Sequence, residues 1–166
     1  MYELKPLPSD SIASSLEMAH RYRLLNQPAL AESIYRDILA ADAKSSPAIQ
    51  GLIRALSDQF DGSRARVDEA RTLIERLTEG YDRNYYNGLV LERWGRAEIQ
   101  GAKVPDTALA SLREAMRYYA EAEAQRPSDN ADAVLRWNAC ARTLMNVSRP
   151  AAYETKPRLK GDLPLE

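Results

Sequence analysis

One histidine, His20, and one cysteine, Cys140, are the only imidazole and thiol groups in this sequence. A Ser-His-Asp triad would have to be built around His20, yet no serine stands in a Gly-x-Ser-x-Gly elbow. HExxH, a GxGxxG after a strand signal, and GxxxxGK are all missing. A lone thiol excludes an internal disulfide framework and a multi-thiolate metal site. No loop alternates aspartates around a central glycine. Cys140 falls in an apolar helical stretch, where a small buried side chain is the expected role. The expectation is therefore a protein with no catalytic residue, no metal site and no cofactor, and not an enzyme.

Guanidinium groups, by contrast, are plentiful. Twenty-three basic residues face 24 acidic ones, and 18 of the basic residues are Arg against 5 Lys. So balanced a charge gives no bulk attraction to nucleic acid or to an anionic membrane. Codon usage is one source of an arginine bias; a need for planar forks that grip carboxylates in two places is another. The run SRARVDEAR carries Arg64, Arg66 and Arg71, but Asp68 and Glu69 interrupt it, so it reads as a solvated helix start and not a nucleic-acid patch. No stretch of about 18 apolar residues could span a bilayer. The opening MYELKPLPSD has no apolar core with a cleavage site, so a soluble, cytoplasmic protein is expected.

Helices must position these arginines, because strand signals are nearly absent and 3.6-residue periodicity recurs seven times. The first stripe, Ile12, Leu16, Ala19 and Tyr22, spans about Asp10 to Leu25 and stops at Asn26-Gln27-Pro28. The second holds Leu30, Ala31, Ile34, Tyr35, Ile38 and Leu39, with Pro28 at its first position. Ser46-Pro47 opens a third, with Ile49, Leu52, Ile53, Leu56 and Phe60. The fourth, Val67, Ala70, Ile74 and Leu77, is expected to stop at Gly80. A fifth, Asn84 to Gln100, is apolar nearly all round and so interior, although Gly88 and Gly95 cost it propensity. The sixth runs from Asp106 to Arg126, and the seventh from a Ser128-Asp129 cap through Val134, Trp137, Ala141 and Leu144. The expected organisation is an extension over 1–9, a helical domain over 10–147 and an extended, proline-containing tail over 148–166.

Within EAMRYYAEAEAQRPSDNADAV, Ala115, Tyr119, Ala122 and Pro127 place small residues, a ring and a terminating proline at set intervals. Small side chains let helix axes approach within about 8–10 Å, and proline fixes where the chain turns. The segment resembles the second helix of a tetratricopeptide repeat, a helix–turn–helix unit of about 34 residues. LAESIYRDILAAD, with Ala31 and Tyr35, and VDEARTLIERLTEG, with Ala70 and Ile74, resemble it too. The intervals depart from the family's: Ala31 to Ala70 is 39 residues and Ala70 to Ala115 is 45. The resemblance implies an all-α, right-handed solenoid of antiparallel hairpins, three units and a closing helix; periodicity alone leaves a closed bundle open.

In that family the first helix of each unit lines a concave face. The resemblance thus places His20, Arg23, Gln50, Arg54, Asn87, Arg93, Arg136 and Asn138 along one groove. The implied function is a protein-interaction scaffold or adaptor that receives a protein or peptide partner, an acidic one in view of the arginines. The alternative is an accessory or regulatory helical subunit packed permanently on a catalytic partner. The tail over 148–166 reads either as a linker or as a segment held in its own groove or a neighbour's, the latter giving a homo-oligomer.

Overall fold

The computed structural model describes residues 2–61, 64–99 and 103–148. After a 3-10 turn at Ser9–Ser11 come α1 (Ile12–Leu24), α2 (Pro28–Ala41), α3 (Ser46–Ser57), α4 (Arg64–Glu75), α5 (Gly80–Glu98), α6 (Asp106–Glu123) and α7 (Asp132–Ser148). The chain is all-α, with seven α-helices and no strand among the described residues. Of the expected tail, only Ser148 is described, as the last residue of α7; residues 149–166 lie outside the described residues.

The punctuation explains most boundaries. Asn26 adopts φ 57°, and the Gln27 N–H donates to the Tyr22 carbonyl at 2.9 Å, so α1 ends in a left-handed cap that asparagine tolerates. Pro28 is the first residue of α2, as the sequence predicts. At α3 the cap position moves back by one, to Ser45, with Pro47 at the second helical position. Gly80 does not stop α4, which ends five residues earlier; it begins α5. A Cβ at Gly80 would lie 2.3 Å from Gln125 Oε1, the tip of a flexible side chain that can turn aside, so this glycine opens a helix without being demanded by its packing. The Ser128-Asp129 cap does not form either. Asn130 Oδ1 accepts the Asp132 N–H at 2.8 Å, and Arg126 Nη1 donates to the carbonyls of Pro127, Ser128 and Asn130 at 3.0–3.3 Å.

Each helix packs on its chain neighbours, and α3 also packs on α1 and α5. The small positions Ala19, Ala31, Ala70 and Ala115 are completely buried, as are Ile38, Ile53, Leu56 and Leu112. Each fully buried Leu or Ile contributes about 1.5–3 kcal/mol. Leu30 is the exception in the second stripe, half exposed near the start of α2.

Helix α5 is interior, as its all-round apolarity implies: Tyr86, Leu89 and Val90 are each 1% exposed. Its two glycines, unfavourable for helix propensity, are packing residues. A Cβ at Gly88 would stand 2.7 Å from the Tyr119 ring, and one at Gly95 2.9 Å from the Ala108 carbonyl. Their absence lets α5 and α6 form the most extensive helix pair in the molecule. Tyr35 of α2 likewise sits over Gly51 of α3, where a Cβ would fall 2.3 Å from the ring. One ring thus packs α2 on α3, and the other, Tyr119, packs α6 on α5.

The outer layer is tied by Glu32 of α2. It accepts Arg36 at 2.8 Å, Gln59 at 2.7 Å and Arg66 at 3.0 Å, and Arg36 reaches on to Glu69 of α4 at 2.7 Å. Within SRARVDEAR, Arg66 and Glu69 are therefore accounted for by bonds between helices.

Candidate partner-binding groove

The groove begins at the C-terminal end of α3. Asp58 is the C-cap of that helix, an unfavourable place for a carboxylate because the helix terminus is already negative. Two arginines compensate. Arg23, from the last turn of α1, gives Nε to Asp58 Oδ2 at 2.6 Å, and Arg93 of α5 pairs through Nη1 with Oδ1. Arg93 also donates to the Arg54 carbonyl at 3.2 Å and to Ser57 Oγ at 3.3 Å. Burial depresses the Arg93 pKa, with Asp58 opposing and the positive charges of Arg23 and Arg136 adding to the depression. Asp58 thereby joins α1, α3 and α5 through one carboxylate.

Arg54 differs from its neighbours. Its guanidinium carbon lies 5.0 Å from the centroid of the Tyr86 ring, a cation–π geometry, and no hydrogen bond from its guanidinium and no ion pair occurs among the described residues. Tyr86 beneath it is buried, and its hydroxyl has no hydrogen-bond partner among the described residues. One turn earlier, Gln50 donates to Asp82 Oδ2 at 2.7 Å. Burial pushes the Asp82 carboxyl above 3.8, against the Gln50 bond and the Arg54 charge.

The α7 side is organised around Glu92, a carboxylate only 2% exposed. Tyr119 OH donates to it at 2.7 Å, Arg96 Nε at 2.9 Å and Arg136 Nη1 at 3.4 Å. Burial, reinforced by Glu92, raises the Tyr119 hydroxyl pKa and pushes the Cys140 thiol up to about 12. The thiol is consequently held protonated at neutral pH.

Arg23, Arg54 and Arg136 meet in one open cavity of about 460 Å³. Tyr85 of α5 and Asp132, Leu135 and Ala139 of α7 complete its lining, so helices α1, α3, α5 and α7 each contribute.

The other residues expected in the groove are distributed differently. Gln50 is engaged by Asp82, and Arg93 is tied to the α3 terminus. His20 is exposed, one turn before Arg23 on the same helix. Asn87 belongs elsewhere: it lines a hollow of about 380 Å³ with Arg71, Ile74, Glu75, Glu114 and Tyr118, against α4 and α6. At 100° per residue, two steps from Tyr85 carry its side chain to the opposite side of α5. Asn138 is half-buried and outside the cavity lining, turned from Arg136 by the same two steps.

Sequence reasoning missed Tyr85, Asp132, Leu135 and Ala139. Asp132 and Arg136, and likewise Leu135 and Ala139, are spaced i, i+4, so following the helical period away from Arg136 would have found the α7 wall. Nothing local signals Asp58, whose arginine partners lie 35 residues away on either side; at Glu92 only the i,i+4 pairing with Arg96 is local, and Arg136 lies 44 residues away. Among the described residues, no helix is long and apolar enough to cross a membrane. Comparison with family models, curated proteins and solved structures gives no match.

Proposed function

We infer that this chain is a protein-interaction module, a tetratricopeptide-like scaffold or adaptor whose stacked hairpins form a right-handed solenoid and whose concave side receives an acidic peptide. The observation that carries the reading is Arg54. It is a half-buried residue whose guanidinium lies over the Tyr86 ring, lines a cavity built from four helices and forms no ion pair among the described residues. Arg23 and Arg136 flank it, already aimed by Asp58 and Glu92. The chain of contacts α1–α3–α5, with the even-numbered helices packed beside them, supports stacked hairpins. A charge-assisted hydrogen bond there is worth about 1.5–3 kcal/mol. Replacing Arg54 by glutamate should therefore weaken binding of an acidic peptide, or capture of the cellular partner, by at least about tenfold. Unchanged binding, with an unchanged helical circular-dichroism spectrum, would remove the groove from the function.

A second reading is favoured by the exposed apolar side chains of α7. Trp137 is 37%, Met145 66% and Val147 38% exposed, a surface suited to an obligate partner. On that reading the chain is an accessory helical subunit. Light scattering on the isolated protein separates the two: a stable monomer supports the adaptor, and self-association that a partner suppresses supports the subunit.

A further inference from the structure

We propose that α4 is a self-pairing surface, separate from the groove, along which two copies of this chain dock as an antiparallel, two-fold pair. Arg64, Asp68, Arg71 and Glu75 are exposed and follow one another at intervals of four, three and four residues. At 100° per residue they fall within about 60° of one another. They form a straight stripe of alternating charge along the whole helix, Arg64–Glu75.

The spacing of the stripe is a palindrome, and its signs invert when it is turned end for end. An antiparallel second copy sets Glu75 of the partner subunit against Arg64, and Arg71 of the partner subunit against Asp68. Symmetry repeats both contacts, so all four join opposite charges. A parallel pair in the same register would oppose arginine to arginine and acid to acid. The contact is isologous, the usual kind in homodimers.

The four side chains have no other engagement. Around them Arg66 is paired with Glu32 and Glu69 with Arg36, and Arg76 donates to the Ala43 carbonyl at 2.6 Å. The stripe residues form no ion pair and no side-chain hydrogen bond among the described residues. Arg64 and Asp68, and Arg71 and Glu75, stand i, i+4, but an acid C-terminal to its base is the weaker order within a helix.

The surroundings favour a partner of mixed charge. The stripe is one rim of a furrow made of two hollows, about 170 and 380 Å³, that share Arg71, Leu91 and Glu114. The furrow's other charged residues are Arg83 of α5 and Glu114 of α6, one of each sign. It is therefore neutral as a whole and exerts no bulk pull on a strongly acidic or basic ligand. A helix of alternating charge matches it, and α4 is such a helix. No residue of α4 lines the arginine cavity.

Exposed ion pairs contribute little singly and are screened by salt, so the pair is weak and salt-sensitive. Sedimentation velocity at up to about 1 mM protein, where weak pairing registers, should show a dimer at about 0.02 M salt that dissociates at about 0.5 M. The light-scattering comparison of adaptor and subunit belongs at the higher salt, where pairing through α4 is screened. Arg71→Glu and Asp68→Arg should each weaken the dimer about tenfold or more, because two of its contacts become like-charged. Both changes in one chain leave net charge unaltered and make every contact opposite again, so dimerisation should return to within about threefold of the parent. A parent that stays monomeric at low salt overturns the pairing. Association that persists at high salt, or unweakened in both single variants, belongs to another surface and overturns it as well. A swap that fails to restore the dimer, repeated at the outer positions with Arg64→Glu and Glu75→Arg, overturns the antiparallel arrangement.

Discussion

At the scale of single residues, carboxylate placement governs what the arginines do. Glu92 sits in the α5–α6–α7 interior with three donors satisfying it, and such a group is tolerated only while its partners remain. Tyr119→Phe removes one donor without changing the packing volume. It should cost about 1–3 kcal/mol, measured as a lower urea midpoint at unchanged m-value; an unaltered midpoint would mean that Arg96 and Arg136 satisfy Glu92 unaided. The same cluster explains why Cys140 reads correctly from sequence as a buried thiol. Its neighbours on the helix are apolar, and burial raises its pKa without any local motif to announce it.

Between elements, the decisive contacts are a ring over a glycine and a shared carboxylate. Glu32 connects α2 to Gln59, just past the end of α3, and to Arg66 of α4. Burial acts to raise its pKa, but the bonds from Arg36 and Gln59 and the charges of Arg36 and Arg66 outweigh it, so the carboxyl is held below 4.5. A folded-state pKa below the unfolded one stabilises the protein above the unfolded value, and that contribution is lost as pH falls through the folded value. Glu32→Gln should therefore be less stable than the parent at pH 7, by about 1 kcal/mol for so exposed a network. Denaturation series taken from pH 7 down through 4.5 and below should show the gap closing. A gap independent of pH would assign the effect to packing.

Across the whole molecule, Asp58 at the end of α3 is the joint between α1, α3 and α5. Asp58→Asn keeps the shape but removes the charge that holds Arg23 and Arg93 together, leaving them to repel. The expected result is a loss of about 1–3 kcal/mol, reflecting a partly exposed pair, and a larger radius of gyration by small-angle X-ray scattering as α1 and α5 spread from the end of α3. An unchanged scattering profile would show that apolar packing alone holds α1, α3 and α5 together.

The all-α class, the seven stripes and the buried alanines were legible because helical periodicity is a local property: residues three and four apart share a face whatever the rest of the chain does. Arg23, Arg54 and Arg136 were grouped as candidates by the resemblance to a tetratricopeptide repeat, as polar residues of odd-numbered helices. What local pattern could not decide was the role of glycine and the pairing of charge. Gly80 reads as a stop, yet it begins a helix beside Gln125; Gly88 and Gly95 read as defects, yet they admit Tyr119 and the Ala108 carbonyl. Asn87 and Asn138 lie outside the lining of the arginine cavity because two residues along a helix is more than half a turn. Whether an arginine is free or spent depends on carboxylates brought from 35 or 44 residues away, and only the packed chain sets those distances.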